Sequence, residues 1–453
     1  MRSNLRKLAS SSSITPSRVA LAIFCGSFFA LASPACGGST TGPAASNDAD
    51  AGGGSDDSGM VLVDSGPPVN IGTPSTTYPA PHPAAPQVQS YGGSVLAAPH
   101  VQPIVFTGDA LAPDIQAFTQ ALHGSAYWSA ATSEYGVGDI TASDPIVVPA
   151  SDTQFTGPTT LTDAQIQTWL GTHLDGAHAG WGTPDPNTIY AVYYPANVTI
   201  TLDPFCQSCQ GFGGYHESTN VNGTVVPYAV LPRCQQLGTL NGEKDVTTGA
   251  SSHELIEAST DPFGTAPAYA SADENHLYYD LVPLSEVGDM CAYESDAFFT
   301  PPEVGYAVQR TWSNQLAALG KSPCAPADTS TYFAAVPVMK ESVDMTFSPE
   351  QGGSAPVQGV KVPMGQSAVI DIDLISGAAM DPFFVKIVDI PSSEGKPAEL
   401  SFSLDAESGQ NGQKLHATIT RVAPASEYGG TEFMVIAYAD PTHYHEWMGW
   451  AGE

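Results

Sequence analysis

Three residues of the types that zinc hydrolases use stand together in the segment His253-Glu254-Leu255-Ile256-Glu257. In a helix of 3.6 residues per turn, positions i and i+4 share a face, so His253 and Glu257 can bind one ion while Glu254 stands beside it. The segment differs from the usual His-Glu-x-x-His motif because a carboxylate replaces the second histidine. The spacing predicts a metal site with a base next to it.

A catalytic zinc ion needs about three protein ligands and one open position. Glu286 and Asp289 are the best candidates for the third ligand, because their spacing lets them share a helical face. Asp261 and Asp280 are weaker candidates, since the first follows the helix end and the second stands in an apolar stretch. One histidine with two carboxylates is a hard ligand set, so manganese, iron or calcium is an alternative to zinc.

The residues beside the ion have predicted catalytic roles. Glu254 is expected to polarise the attacking water and carry its proton to the leaving group. The candidates for stabilising an oxyanion are His216, Tyr278 or Tyr279.

The same residues also allow an interpretation without any metal. Glu254 and Glu257 would then be solvated helix residues. His253 would be a buried histidine that hydrogen-bonds to Glu286 or Asp289. A fold that only binds a ligand would have the same sequence pattern.

The helix that carries the motif is predicted to run from about Thr247 to Ser259, because Pro262 disfavours helical geometry at Asp261. A second helix is predicted at Thr162, where Thr-Asp-Ala-Gln has the capping-box spacing and apolar residues recur behind it. Other expected elements are strands at 103–106, 187–194 and 224–231 and helices at 114–123 and 126–135.

Beyond Cys324 apolar and polar residues alternate in short runs separated by Gly and Pro turns. The runs are 370–374, 400–404 and 415–419, and 433–438 is nearly all apolar. This pattern predicts an antiparallel β-sandwich over residues 329–453. The expected fold class is therefore α+β, with a zincin-like metallohydrolase-type domain at 91–328 followed by the sandwich.

The composition excludes some partners. The chain has 453 residues, with 46 acidic and 14 basic side chains and a net charge of −32. Such a charge repels nucleic acid and anionic membrane surfaces, and it favours solubility outside the cytoplasm.

The N-terminus predicts export, since basic residues precede an apolar run at 19–32. Cleavage is expected either after Ala30-Leu31-Ala32 or just before Cys36. The second site, Ser33-Pro34-Ala35-Cys36-Gly37, is similar to a bacterial lipoprotein junction although Ser33 replaces the usual leucine. We therefore expect a signal peptide at 1–35, a lipid on Cys36 and a disordered tether at 36–90, rich in Gly, Ser, Pro and Asp. The lipid would be the only membrane contact, at the outer cell surface or in the periplasm; simple secretion is the alternative.

Five cysteines follow these segments, namely Cys206, Cys209, Cys234, Cys291 and Cys324. An exported protein is expected to pair most of its cysteines. We predict a bond between Cys291 and Cys324 and another between Cys234 and either Cys206 or Cys209.

Several segments of the N-terminal half carry a resemblance. They are Tyr190-Ala191-Val192-Tyr193-Tyr194-Pro195, Phe205-Cys206-Gln207-Ser208-Cys209, Gly214-Tyr215-His216-Glu217-Ser218, Pro227-Tyr228-Ala229-Val230 with Cys234, the run from Ser252 to Pro262, Glu286-Val287-Gly288-Asp289-Met290-Cys291, and Trp312-Ser313-Asn314 with Cys324. In order and spacing this set resembles the EXORDIUM, or phosphate-induced, family of secreted proteins, over residues 100–325. The resemblance implies export but no particular biochemical activity. The first two cysteines are closer together than in the plant pattern, and a cysteine after Cys234 is absent, so the plant disulfide scheme is not carried over.

The residues together predict an exported, lipid-anchored, metal-dependent hydrolase. Its expected reaction is peptide-bond hydrolysis, on a peptide or another cell-surface polymer. The alternative is a non-catalytic cell-surface protein that recognises glycan or peptide.

Overall fold

The computed structural model describes residues 70–453 except 157–159, 179, 204–205, 282–285, 348–352, 394 and 426–427. The predicted signal peptide, Cys36 and the tether up to residue 69 lie outside the described residues. Residues 70–90, at the end of the predicted tether, are hydrogen-bonded to the rest of the chain. Asn411 accepts a bond from Ala80 N through its side chain (3.0 Å), and Gln87 N donates to Asp273 (2.9 Å). The folded structure therefore includes this segment.

The N-terminal part, residues 91–328 with the short strand before it, contains both helices and strands. Its helices are α1 (Ala112–Ala121), α2 (Ala126–Thr132), α3 (Thr153–Thr156), α4 (Asp163–His173), α5 (Glu243–Thr260) and α6 (Asn314–Ala318). Its strands are β1 (Val88–Ser90), β2 (His100–Phe106), β3 (Thr141–Ala142), β4 (Ile146–Val148), β5 (Thr160–Thr162), β6 (Thr188–Tyr193), β7 (Thr199–Asp203), β8 (Cys206–Gln207), β9 (Tyr215–Val221), β10 (Thr224–Leu231), β11 (Gln236–Leu237), β12 (Leu240–Asn241), β13 (Tyr269–Ala272), β14 (Phe298–Phe299), β15 (Val308–Gln309), β16 (Thr311–Trp312) and β17 (Cys324–Ala325). Three 3-10 helices lie at Ser133–Tyr135, Leu277–Asp280 and Asp289–Cys291.

The main sheet has the strand order β3-β2-β6-β10-β9, and β4 also pairs with β2. Strands β2, β6 and β10 run parallel, and β9 lies at the edge antiparallel to β10. Strand β6 is buried along its whole length, as its continuous apolar sequence predicts for a strand covered on both faces. Helix α4 covers one face and α5 packs against the other. The sheet is thus the middle of three layers.

Helix α5 is buried from Val246 to Thr260 although its side chains are mostly small or polar. Two of its hydroxyl groups are satisfied within the helix, since Ser251 donates to the Thr247 carbonyl and Ser259 to that of Leu255, each at 2.6 Å. The buried hydroxyl of Thr247 has no hydrogen-bond partner among the described residues. The helix begins at Glu243, four residues before the predicted start, because Gly242 turns the chain with a φ of 93°. It ends just before Asp261-Pro262, as predicted.

The C-terminal part, residues 329–453, consists of two sheets that face each other across an apolar core. Its elements are β18 (Phe333–Pro337), β19 (Glu341–Thr346), β20 (Ser354–Lys361), β21 (Ser367–Ser376), β22 (Phe383–Asp389), α7 (Ile390–Ser393), β23 (Leu400–Leu404), β24 (Ser408–Gly409), β25 (Lys414–Arg421), β26 (Gly430–Asp440) and β27 (His443–Gly452). One sheet has the order β18-β21-β25-β23 and the other β19-β20-β27-β26-β22-β24. The expected all-antiparallel pairing is wrong at one place. Strand β27 pairs antiparallel with β26 on one side but parallel with β20 on the other.

Both predicted disulfide pairings can be compared with the structure. Cys291 is bonded to Cys324, as predicted, and of the two partners proposed for Cys234 the structure selects Cys209. The two parts of the chain pack tightly, since one apolar cluster continues from α5 to β27. No helix of the described residues is long and apolar enough to cross a membrane. The part of the chain that the structure describes is a strand-rich α+β protein.

Candidate metal centre

Three ligand-type side chains converge at the middle of α5. His253 Nε2 lies 2.9 Å from Glu257 Oε2, one helical turn away, and 3.5 Å from Asp289 Oδ1 on the 3-10 helix. All three residues are buried. Two ligands at about 2.1 Å from a tetrahedral ion lie about 3.4 Å apart, so these separations fit one divalent cation.

The His253 ring is held in the orientation that a metal ligand needs. Its Nδ1 donates to Gln309 Oε1 at 3.1 Å, and the Gln309 amide nitrogen donates to the Gly288 carbonyl at 2.7 Å. Because Nδ1 carries the proton in this bond, the lone pair of a neutral ring is on Nε2, facing the two carboxylates. A hydrogen bond to the other ring nitrogen is the usual support of a ligating histidine.

Glu257 is fixed by the chain segment that carries Asp289. Its Oε1 accepts hydrogen bonds from Gly288 N (2.9 Å) and Asp289 N (3.1 Å), which leaves Oε2 toward His253. Burial raises the pKa of this carboxyl, but the two nearby histidines, His253 and His216, outweigh it and lower the pKa. A Cβ at Gly288 would lie 2.7 Å from His253 Nδ1, so only glycine allows this close approach.

Asp289 has an unused oxygen. Its Oδ2 is buried and has no hydrogen-bond partner among the described residues. Burial and then Glu257 raise the pKa of this carboxyl well above its usual range, and His253 opposes them. A buried carboxylate without a partner is costly, and a cation would remove that cost. The donor set therefore fits a metal ion.

Glu254 stands beside the three ligands on the same helix. Its Oε2 is buried, has no hydrogen-bond partner among the described residues, and lies 3.5 Å from His216 Nδ1, which is long for a hydrogen bond. Glu254 and Glu257 are only 3% and 1% exposed, so the interpretation as solvated helix residues is wrong. Glu254 is buried because the segment at Gly214 covers it so closely that a Cβ at Gly214 would lie 2.8 Å from Glu254 Oε1.

His216 and Glu286 form a second group on the other side of Glu257. His216, on edge strand β9, has Nδ1 at 3.7 Å from Glu257 Oε2 and Nε2 at 3.6 Å from Glu286 Oε2. Burial lowers the pKa of His216, but Glu286, Glu254 and Glu257 outweigh it and raise the pKa to about 10. Burial raises the pKa of Glu286 well above its usual range, against the effect of His216. The two candidates for the third ligand are thus separated, because only Asp289 lies with His253.

The two candidate tyrosines, Tyr278 and Tyr279, contact the C-terminal part of the chain. Tyr279 OH accepts a hydrogen bond from Met448 N at 3.1 Å, at the interface with the C-terminal part. The ring of Tyr278 stacks on Trp450 at the same interface. The expectation that one of them stabilises an oxyanion is therefore not supported by their positions, because both belong to the 3-10 helix Leu277–Asp280 and contact β27.

The weaker ligand candidates are also occupied. Asp261 accepts a bond from Ala268 N at 2.6 Å, and Asp280 accepts bonds from Ser271 Oγ and, at 3.1 Å, from Ala272 N. Each carboxylate thereby fixes a nearby loop or strand.

Gln309 is the site residue that the sequence did not indicate. It stands in a short strand without any motif, and only the fold brings it to His253. Gly214 and Gly288 were part of the quoted segments, but their spacing gave no sign that they make room for Glu254 and for the ligands.

Comparisons with known proteins add little. No family model and no curated protein matches the chain. Among solved structures, a conjugative transposon lipoprotein from Bacteroides eggerthii is matched at 12% sequence identity, over 28% of this chain and all of that chain, with a TM-score of 0.17. A TM-score this low carries no argument about fold or function. The EXORDIUM resemblance stays a hypothesis.

Proposed function

We propose that the chain is a metal-dependent hydrolase, with His253, Glu257 and Asp289 as ligands of a zinc or similar divalent ion and peptide-bond hydrolysis as its reaction. The observation that carries this proposal is the convergence of three buried ligand atoms, two of them separated by 2.9 Å, around a histidine whose other nitrogen is already hydrogen-bonded. A zincin-like fold of the N-terminal part belongs to the same proposal, supported by the motif helix packed against a mixed sheet.

A divalent ion at this place would act as a Lewis acid that polarises a carbonyl and makes water more acidic. Glu254 would carry out the proton transfer, and this role is supported by its Oε2, which has no competing hydrogen bond among the described residues. It would accept a proton from the attacking water and donate it to the leaving amine. His216 lies 3.5 Å from Glu254, and its raised pKa gives a positive charge at neutral pH that would stabilise an oxyanion.

Export with a lipid on Cys36 remains part of the proposal. It is supported by the basic residues and apolar run before Cys36 and by the two described disulfides, which persist in oxidising compartments. Mass spectrometry of the N-terminal peptide tests it: a lipid-modified Cys36 is expected, and an unmodified N-terminus at Ser33 would contradict it.

The proposed reaction is tested by replacing Glu254 and His253 separately. Glu254→Gln is expected to keep the metal and the thermal stability but to lose turnover, because an amide cannot accept a proton. His253→Ala is expected to release the metal and to destabilise the fold around Glu257. The measurements are metal content, thermal unfolding and cleavage of a peptide library.

A matched control is Asp245→Asn, the corresponding carboxylate-to-amide change on an exposed residue of the same helix. It should alter neither metal content nor turnover. Metal content that is unchanged in His253→Ala would show that the ligands are misassigned. A wild type that binds metal and cleaves nothing would instead favour the alternative function, a cell-surface protein that only binds.

A further inference from the structure

A cleft of about 710 Å³ lies between the two parts of the chain, and no role has yet been assigned to it. Pockets of several hundred Å³ at domain interfaces are common ligand sites. One wall is formed by residues 209–213, the β11–β12 hairpin and residues 292–298. The other wall is the outer face of β22, β26 and β27.

The wall from the C-terminal part is apolar with a carboxylate in its middle. Met434 is the cross-strand partner of Met448, and Ile436 that of Glu446. All four side chains line the cleft. Methionine side chains adapt their shape to a ligand, so this surface suits a flexible aliphatic chain that ends in a positive charge.

Glu446 is only partly balanced by the nearby cation Lys386. Its Oε2 is buried and without a hydrogen-bond partner among the described residues. Burial, and then Glu294, raise the pKa of Glu446 well above its usual range, and the charge of Lys386 opposes them without outweighing them. Lys386 is the one cation among the described lining residues. It is exposed, and its ammonium lies 5.9 Å from the centre of the Tyr438 ring. A cationic partner would stabilise this buried carboxylate, because an unpaired buried charge is costly in free energy.

The cleft begins next to the candidate metal centre. Gly213 lines the cleft, and a Cβ on its neighbour Gly214 would lie only 2.8 Å from Glu254 Oε1. The Gly213 Cα therefore lies at most about 8 Å from Glu254 Oε1, which is the sum of the Cα–Cα spacing of consecutive residues, one Cα–Cβ bond and the 2.8 Å distance. That distance is two to three residues of an extended peptide. On the other wall segment, Ala292 follows directly after the 3-10 helix that holds Asp289.

We propose that this cleft binds a lysine or arginine side chain of the peptide that is cleaved at the metal centre, with the aliphatic stem on Met434, Met448 and Ile436 and the cationic end on Glu446. The inference rests on the proposed function and narrows its substrates to peptides with a basic residue. Lysine and arginine side chains bury their stems against apolar surface while the charge pairs with a carboxylate. The net charge of −32 also attracts such peptides.

The test measures binding without cleavage, using the full chain with Glu254→Gln. The probes are acetyl-Leu-Leu-Arg-Leu-Leu-amide and the same peptide with glutamine in place of arginine, compared by calorimetry. The arginine peptide is expected to bind about tenfold to a hundredfold more tightly, as for a hydrogen bond to a charged group. Adding Glu446→Gln should abolish the preference, and adding Glu407→Gln, an exposed glutamate outside the cleft, should keep it.

Lys386→Gln provides a second variant that leaves the buried residues in place. It removes a positive charge that repels the arginine of the peptide, so the arginine peptide should bind severalfold more tightly. Equal affinities for both peptides, or a preference that survives Glu446→Gln, would overturn the inference. If the arginine preference is found but the unmodified protein cleaves neither peptide, the cleft assignment stands and the hydrolase proposal fails.

Discussion

Replacing Gly214 by alanine separates the catalytic base from the metal ligands. Gly214 does not have a positive φ, so alanine is compatible with the backbone there. The added Cβ would lie 2.8 Å from Glu254 Oε1 and 2.9 Å from Glu254 Cγ. The change therefore acts on Glu254 and leaves His253, Glu257 and Asp289 in place.

The size of the effect follows from these contacts. Ordinary van der Waals contact needs about 3.5 Å or more, so the Glu254 side chain must move by about 0.7–1 Å. A misplacement of about 1 Å costs about a hundredfold in rate. Because Glu254 is buried, the displaced carboxylate also strains its surroundings, and we expect a loss of about 1–3 kcal/mol in unfolding free energy.

The assay compares peptide turnover, metal content and denaturant unfolding for the wild type and Gly214→Ala. The expected result is a full complement of metal with about one hundredth of the turnover. Gly171→Ala is the control, since a Cβ at that position of α4 meets no atom within 4 Å; its turnover should equal that of the wild type. Wild-type turnover in Gly214→Ala would refute the assignment of Glu254 as the base. Loss of the metal would mean that Glu254 is itself a ligand.

Two further predictions concern stability. Replacing Cys291 and Cys324 by serine opens a loop with a sequence separation of 33, so the unfolding free energy should fall by about 4 kcal/mol and metal should be lost more easily. Replacing Cys209 and Cys234, with a separation of 25, should lower the unfolding free energy by a similar amount but keep the metal. Equal metal retention in the two variants would contradict this prediction. Burial raises the pKa of Asp280 from 3.8 to about 7, so its contribution to stability is present below about pH 4 and is lost as the pH rises through about 7. The unfolding free energy of the wild type should fall relative to that of Asp280→Asn over this range in urea titrations, and parallel pH curves would contradict the assignment.

Local patterns in the sequence predicted the elements that depend on local geometry. The i, i+4 spacing of His253 and Glu257 and the Asp261-Pro262 stop defined the face and the end of α5. The capping box at Thr162 is present as predicted, with both of its reciprocal hydrogen bonds. Continuous apolar runs predicted β6 and β10 because such strands are covered on both faces.

Contacts between distant segments were beyond the sequence. Asp289 and Glu286 have the same residue chemistry and are equally plausible ligands by spacing, and only the bonds from Gly288 N and Asp289 N to Glu257 show which one meets His253. Tyr279 was assigned to the site because nothing in the sequence shows that β27 packs on it. Gln309 carries no local pattern, so its bond to His253 could not be anticipated.

The most direct test of the metal centre is anomalous X-ray diffraction at the zinc absorption edge, on crystals of the purified protein equilibrated with zinc. The account predicts one strong peak about 2.0–2.1 Å from His253 Nε2 and bounded by Glu257 Oε2 and Asp289 Oδ1. A peak between His216 and Glu286 instead, or no peak at either group, would contradict it.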